Sequence, residues 1–249
     1  MAGHSKWANI RHRKERQDKK RSKIWSKCSK AIMAAARQGG GDADTNLALR
    51  YAIDEAKYAN MPKDTIKRAV DKGAGAGGGD AFENVTYEGY GPAGVAILID
   101  CLTDNNTRTV NDVRNIFKKG GGSMGNSGSV SFMFQSKGQI LIEGGKTTED
   151  ELMELAVEAG AEDVEAPEGE GAYWTVTTEV ADFIAVKAAI EGAGIEIESA
   201  ELTKIPDTTA EVAGDEAQKL LNLIDAIEDN DDVQKVYHNA DVDESALAS

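Results

Sequence analysis

The spacing of apolar residues changes several times along this chain, and the changes divide it into segments. Residues 1–20 offer little to bury beyond Trp7 and Ile10. A segment of that kind cannot recover its ordering entropy by burial, so a mobile arm is expected there. From about Lys20, Ile24, Cys28, Ala31, Ile32 and Ala35 recur at steps of three and four, which predicts an amphipathic helix stopped by the glycines at 39–41. Leu49, Ile53 and Ala56 mark a second helix. "MPKDTIKRAVDKG" marks a third, with Pro62 suited to its first turn and Gly73 to its C-terminal cap. Short helices with brief connections predict a bundle over 21–80, closed by the flexible linker "GAGAGGGD".

Past the linker the period shortens to two. "NVTYEGY" and "GVAILIDCL" read as a hairpin around "GYGPAG". A helix follows with Val110, Val113 and Phe117 as its buried stripe and Gly120 after its end, and "GSVSFMF" is expected as a third strand through the alternation of Val130, Phe132 and Phe134. Then comes strand "GQILIE", a helix over 148–159, strands "EDVEA" and "AYWTVTT", a helix over 179–191 and strand "IEIESAEL". That β-α-β-β-α-β order is the ferredoxin-like arrangement. After Pro206 one more helix carries Leu220, Leu223, Ile224 and Ile227, ahead of strand "VQKVYH". A lone helix and strand cannot make a domain, but they complete the earlier ββαβ unit. The expected architecture is therefore α+β and multidomain: an N-terminal three-helix domain and two α/β domains, one ferredoxin-like and inserted in the other. The expected boundaries are a basic arm over 1–20, the bundle over 21–80, one α/β domain made of 81–136 and 206–240, an insert over 137–205, and an acidic tail over 241–249.

Charge sharpens this division. The 249 residues carry a formal charge of -15, yet twelve basic residues stand between Lys6 and Arg37 against only Glu15 and Asp18. From Lys137 to Ser249 there are six basic and twenty-nine acidic residues. The molecule is basic at one end and acidic at the other. No apolar run is long enough for a membrane span, and the N-terminus has no apolar core of a secretory signal. The stretch is poorer in Ser than a mitochondrial transit peptide and contains two acids, so a cytoplasmic location is expected. Cys28 and Cys101 fall on apolar faces and read as buried thiols. With His4, His12 and His238 scattered, no metal site is expected.

The motifs point away from catalysis. "GAGAGG" at 73–78 has glycines in dinucleotide-binding spacing, but a helix precedes it and a strand follows, the reverse of what that fingerprint needs. "GGSMGNSGS" at 121–129 lacks the lysine of a P-loop, although such a loop could come close to an RNA backbone. No nucleophile elbow, Ser-x-x-Lys or His-Glu-x-x-His occurs, so no catalytic residue, cofactor or small-molecule substrate is expected. The basic stretch carries the chemistry. Lys6, Arg11, Arg13, Lys14, Arg16, Lys19, Lys20, Arg21, Lys23, Lys27 and Lys30 would neutralise phosphates and release counterions, and Trp7 could stack on an unpaired base. Lys20, Lys23, Lys27 and Lys30 lie on a helix face offset from Ile24, Cys28 and Ile32, so one side is expected to pack while the other grips a backbone. Arg108, Arg114, Lys118 and Lys119 form a smaller second patch.

Several long stretches, in the order "MAGHSKWANIRHRK", "QDKKRSKIWSK", "GGGD", "YEGYGPAGVAILIDCLTDN", "NTRTVNDVR", "GSVSFMF", "AGAEDV" and "DDVQKVYHN", closely resemble the YebC family, which includes the mitochondrial translational activator of cytochrome c oxidase. The resemblance runs from Met1 to about Asn239, and a chain starting at "MAGHSKW" looks like a bacterial member. It implies an N-terminal helical domain followed by two α/β domains, and a regulator of gene expression. One implied role is DNA-binding transcriptional regulation. The other is association with the ribosome and its RNA, relieving stalling on proline-rich stretches.

Overall fold

A computed structural model describes residues 21–75, 82–167 and 172–242. The arm over 1–20, most of the Gly-rich linker and the tail beyond 242 lie outside the described residues. The chain forms two compact units: Gln135–Ile205 is one, and the described residues before and after it make the other. The fold is α+β, with an N-terminal helical region and two α/β assemblies built on antiparallel sheets. No described helix is long and apolar enough to cross a membrane.

In the larger unit, helices α1 (Arg21–Gly39), α2 (Leu47–Tyr58) and α3 (Lys63–Ala74) close around Ile32, Ala35, Ala36, Leu49, Ala56, Met61, Ile66 and Ala69. The alanine-rich inner face of α1 lets α3 approach closely. A Cβ on Gly73 would stand 2.5 Å from the Met33 carbonyl oxygen. Gly73 is therefore a contact glycine inside α3 rather than the expected cap, which is Gly75, and Pro62 occupies the N-cap just ahead of the first turn. Asn46 joins α1 to α2: its Oδ1 accepts from the Leu49 N–H, and its Nδ2 donates to the carbonyls of Ala35 and Gly40.

The sheet domain of this unit pairs β1 (Glu83–Tyr90) with β2 (Ala96–Thr103), in order β3-β1-β2-β9, where β3 is Ser123–Met124 and β9 is Val233–His238. Strand β2 is apolar almost throughout because both of its faces are covered. Ile97, Ile99 and Cys101 meet helices α4 (Asn106–Lys119) and α7 (Gly214–Glu228) through Val113, Phe117, Leu220, Leu223 and Ile224. Ala96 and Leu98 pack on Val130 from the other side. The parallel pair β8 (Ala210–Val212) and β10 (Ala240–Val242) completes this domain.

The smaller unit runs β4 (Phe134–Glu143), α5 (Glu149–Glu158), β5 (Ala161–Glu165), β6 (Tyr173–Glu179), α6 (Phe183–Gly192) and β7 (Ser199–Pro206). Its strand order, β5-β6-β4-β7, is that of a ferredoxin-like sheet. Ile140, Ile142, Leu152, Trp174, Val176, Val186 and Ile190 are buried in it.

Two expected strands are displaced. "IEIESAEL" starts too early, because Ile195 closes the end of α6 through its N–H to the Ile190 carbonyl, and strand β7 begins at Ser199. "GSVSFMF" is not a strand before Phe134: residues 128–133 make a loop with a short 3-10 turn at Ser131–Met133. The reason is a carboxylate that takes the N–H groups a neighbouring strand would need.

Candidate nucleic-acid interface

Of the basic residues singled out in the sequence, Lys6, Arg11, Arg13, Lys14, Arg16, Lys19 and Lys20, together with Trp7, lie outside the described residues. Arg21, Lys23, Lys27 and Lys30 are on α1, and three of these four are engaged within the chain. Lys23 Nζ donates to the Asp229 carbonyl and lies 3.5 Å from the Asp229 carboxylate and 3.7 Å from that of Asp231. Lys27 Nζ donates to the Glu228 carbonyl at 2.7 Å, and Lys30 Nζ to Asp232 Oδ1 at 2.7 Å. These acceptors are the end of α7 and the turn after it. A helix C-terminus leaves carbonyls unsatisfied and concentrates partial negative charge, and here four carboxylates stand at the same place. The lysine face expected to grip a phosphate backbone is already turned to an internal row of carbonyls and carboxylates. Burial holds the Lys27 ammonium below its ordinary pKa, opposed by the Glu228 charge. Lys235 on β9 pairs with Glu55 on α2, a second ionic tie between bundle and sheet domain.

Asp232 is the centre of this junction. It is 5 % exposed, and besides Lys30 its carboxylate accepts from Arg108 Nη2 at 2.7 Å, Thr109 Oγ1 at 2.7 Å and Thr103 Oγ1 at 3.3 Å. Its backbone carbonyl accepts from the Leu102 N–H. One side chain thus links α1, the end of β2, the start of α4 and the α7–β9 turn. Burial alone would raise its pKa. The hydrogen bonds from Arg108, Lys30 and Thr109 outweigh that and bring it down to about 2. Its own bond to Asp232, with one to Asp104, raises the Arg108 pKa above its ordinary value.

Arg108 is therefore a member of this junction rather than of a free basic patch. Arg114, Lys118 and Lys119 are exposed on α4. A basic surface that the sequence pattern does not single out is that of α3, where Lys63, Lys67, Arg68 and Lys72 are all exposed. Their spacing within "KDTIKRAVDK" is the only signal for it, and Asp64 and Asp71 dilute that signal.

The Gly-rich loop after α4 also has an internal occupant. Glu88 on β1 is 5 % exposed, and its carboxylate accepts the N–H groups of Gly128 at 2.7 Å, Val130 at 2.7 Å and Ser131 at 2.8 Å. Burial opposes ionisation, but these backbone donors prevail and lower its pKa. The donors that an RNA phosphate would have met are given to a side chain of the same unit. Among the described residues no group of His, Cys, Asp and Glu could hold a metal ion. Burial pushes the thiols up, to about 11 for Cys28 and about 12 for Cys101, so neither is a ready nucleophile.

A multidomain α+β molecule with a helical N-terminal region and a charge-paired junction is the class that these observations define. Its fold resembles the crystal structure of a conserved hypothetical protein from Aquifex aeolicus, with a TM-score of 0.80 and 42% identity over 91% of this chain and 93% of that one. Residues 5–76 match the model of the TACO1/YebC protein N-terminal domain, and residues 82–240 that of the TACO1/YebC second and third domain. The chain belongs to the TACO1/YebC family. It is 52% identical over 248 residues to a protein of Persephonella marina, 50% over 250 residues to one of Rubrobacter xylanophilus and 54% over 240 residues to one of Paracidovorax citrulli. The matches cover 96–100% of this chain and 98–99% of those proteins, each of which is named "probable transcriptional regulatory protein".

Proposed function

We propose that this chain is a non-enzymatic, nucleic-acid-binding regulator of gene expression, and that residues 6–21 supply its principal phosphate contacts. The observation that carries the reading is the concentration of basic charge: eight Lys and Arg within those sixteen positions, in a chain of net charge -15. A polyanion is repelled by the acidic remainder and drawn chiefly to that stretch. The shared name of the relatives supports a transcriptional regulatory role, which this reading assigns to DNA binding in the cytoplasm. Lys23, Lys27 and Lys30 contribute to this function by holding the bundle on the sheet domain.

The second reading, a ribosome-associated factor that meets ribosomal RNA and relieves stalling on proline-rich stretches, draws on α3. Its exposed charged side chains are lysines, aspartates and Arg68, which is turned to the Asp64 carbonyl and Thr65 Oγ1. It exposes no Asn or Gln, the side chains that read adenine. A surface of this kind suits phosphates and shape, the terms on which folded RNA is recognised.

Sedimentation of a DNase-treated lysate near physiological salt separates the two. Co-migration with ribosomal particles that is lost on deleting residues 1–20 supports the ribosomal reading. Retention at the top, together with arm-dependent binding of duplex DNA at the same salt, supports the transcriptional one. If the full chain binds neither ribosomes, RNA nor duplex DNA at that salt, the nucleic-acid reading falls.

A further inference from the structure

We propose that the outer face of α5 is a docking site for a basic amphipathic segment of another protein, centred on Met153 and Val157. Helix α5 packs into the unit Gln135–Ile205 through Leu152 and Ala156, both fully buried. Met153 and Val157 follow them by one position and are turned to water, 42 % and 58 % exposed. Residues four apart on a helix are surface neighbours, with about 5–6 Å between their Cβ atoms, so these two form one apolar row. Of the six large apolar side chains exposed among the described residues, only this pair shares a helix. A loose helix is not the cause. The Thr148 side chain caps its N-terminus by accepting from the Glu151 N–H, and the Ala159 N–H closes its end on the Leu155 carbonyl. A flexible thioether beside a branched side chain gives a partner an adaptable apolar contact.

The charge around the row selects the occupant. Helix α5 carries five carboxylates, those of Glu149, Asp150, Glu151, Glu154 and Glu158, and no cation, and all five residues are exposed. Asp150, Glu154 and Glu158 succeed one another at steps of four, in a row next to that of Met153 and Val157. Acids in a first helical turn complement the helix dipole, which accounts for Glu149, Asp150 and Glu151. Glu154 and Glu158 have no such reason. Like charges four apart repel, and Glu158 stands in the last turn, where the dipole disfavours it. Among the described residues no Lys or Arg forms an ion pair with any of the five. Lys137 of this unit pairs instead with Glu162 and Glu179, Lys146 with Glu196 and Lys187 with Glu191. From Thr147 to Val186 there is no Lys, Arg or His, against twelve acidic residues. A second copy of this face, a nucleic acid or an anionic membrane would meet like charge. A protein segment with apolar side chains three and four residues apart, flanked by Lys and Arg, complements both rows at once.

Fluorescence anisotropy of a labelled helical peptide, with leucines at three- and four-residue steps among lysines, reads binding to the full chain. A peptide of the same composition with its leucines scrambled is the control. The full chain is expected to bind the amphipathic peptide at least about 10-fold more tightly than the scrambled one. Met153→Ser with Val157→Ser should abolish that preference and leave the affinity for the scrambled peptide unchanged. Glu154→Gln with Glu158→Gln should weaken binding of both peptides and flatten its salt dependence. Because all four side chains are exposed, both variants should keep the wild-type Tm, and deleting residues 1–20 should change neither affinity. Equal binding of the two peptides by the wild-type chain would overturn the proposal, since acidity alone then attracts them. A double serine variant that still prefers the amphipathic peptide also overturns it, because the apolar row is then not the contact. If deleting residues 1–20 raises the affinity for the amphipathic peptide, and the double serine variant does not share the gain, the face is covered by the basic segment of this chain and another protein as its occupant is refuted. Nucleic acid takes no part in the readout, so each of these results leaves the nucleic-acid-binding reading untouched.

Discussion

Replacing Asp232 by Asn tests whether the junction between bundle and sheet domain is held as described. The substitution keeps the shape and removes the charge from a site where Lys30, Arg108, Thr109 and Thr103 all point donors at one carboxylate. An amide offers one oxygen instead of two, and its NH2 must face at least one of those donors. Two routes give the magnitude. The displacement of the Asp232 pKa from 3.8 to about 2 corresponds to about 2.5 kcal/mol of stabilisation at neutral pH. Breaking a buried ion pair from one side typically costs about 3–5 kcal/mol, but Arg108 is half exposed and keeps Asp104, so part of that is recovered through water. The expected loss is therefore about 2–4 kcal/mol.

The pH dependence gives the sharper check. A carboxyl whose folded pKa lies below its unfolded one stabilises the fold fully above the unfolded value, and loses that stabilisation as pH falls through the folded value. The difference between wild type and Asp232→Asn should accordingly be constant from neutrality down to about pH 4, then shrink toward pH 2. Urea unfolding at a series of pH values measures it. Amide hydrogen exchange in α1 and β9 should show the opening localised at the junction. A difference below about 1 kcal/mol at pH 7, or one that does not change between pH 4 and pH 2, would refute the account of Asp232 as an ionised hub.

Three further outcomes follow from other parts of the fold. Glu88→Gln turns a donor toward the N–H groups of Gly128, Val130 and Ser131, and should destabilise the larger unit by about 1–3 kcal/mol in urea. Since the Glu88 pKa is lowered, that difference should be present at neutral pH and fade as the medium passes below the usual carboxylate range. Gly73→Ala drives a methyl group into the Met33 backbone and should lower stability by about 1–3 kcal/mol, whereas Gly145→Ala, with nothing within 4 Å, should change it by less than about 1 kcal/mol. Changing Lys23, Lys27 and Lys30 to Gln should lower the Tm but leave the salt dependence of nucleic-acid affinity as it was. Deleting residues 1–20 should flatten that dependence by about 0.7–0.9 log units for every phosphate the arm no longer neutralises.

Most elements could be read from the sequence because their signals are local. Val113 and Phe117 on α4, Ile97 and Ile99 on β2 and Leu220, Leu223 and Ile224 on α7 show the expected period and are buried. The failures share one cause: a partner remote in sequence claims the backbone or side chain. Val130, Phe132 and Phe134 alternate as a strand would, but Glu88 holds the N–H groups that would have paired with a neighbour. Gly73 sits where a cap glycine belongs, but its role is set by how near α1 passes. Lysines at steps of three and four on α1 look the same whether they face water or a helix end some two hundred residues later. The one hint is the compact acidic run "EDNDD" at 228–232, a counterpart to which the pattern alone assigns no place.

That pairing changes what the basic count means for binding. If each basic residue from Lys6 to Lys30 met one phosphate, eleven contacts would give a salt slope of about -10 on duplex DNA. Lys23, Lys27 and Lys30 are engaged with α7 and its turn, and bringing them to a phosphate would break their bonds to the Glu228 carbonyl, Asp229 and Asp231 and leave Asp232 with Arg108 as its one cation. At Asp232 a buried carboxylate would lose the only donor to its Oδ1 among the described residues, at a cost larger than one exposed phosphate contact returns. The three lysines therefore stay where they are, and the ceiling on the slope falls to about -7. A slope near -10 would require either the exposed cations of α3 and α4 to meet phosphates or the junction to open on binding, and only in the second case would hydrogen exchange in α1 rise in the complex. With the slope at or below the lower ceiling and exchange unchanged, the junction stays closed on binding and Lys23, Lys27 and Lys30 keep their internal partners.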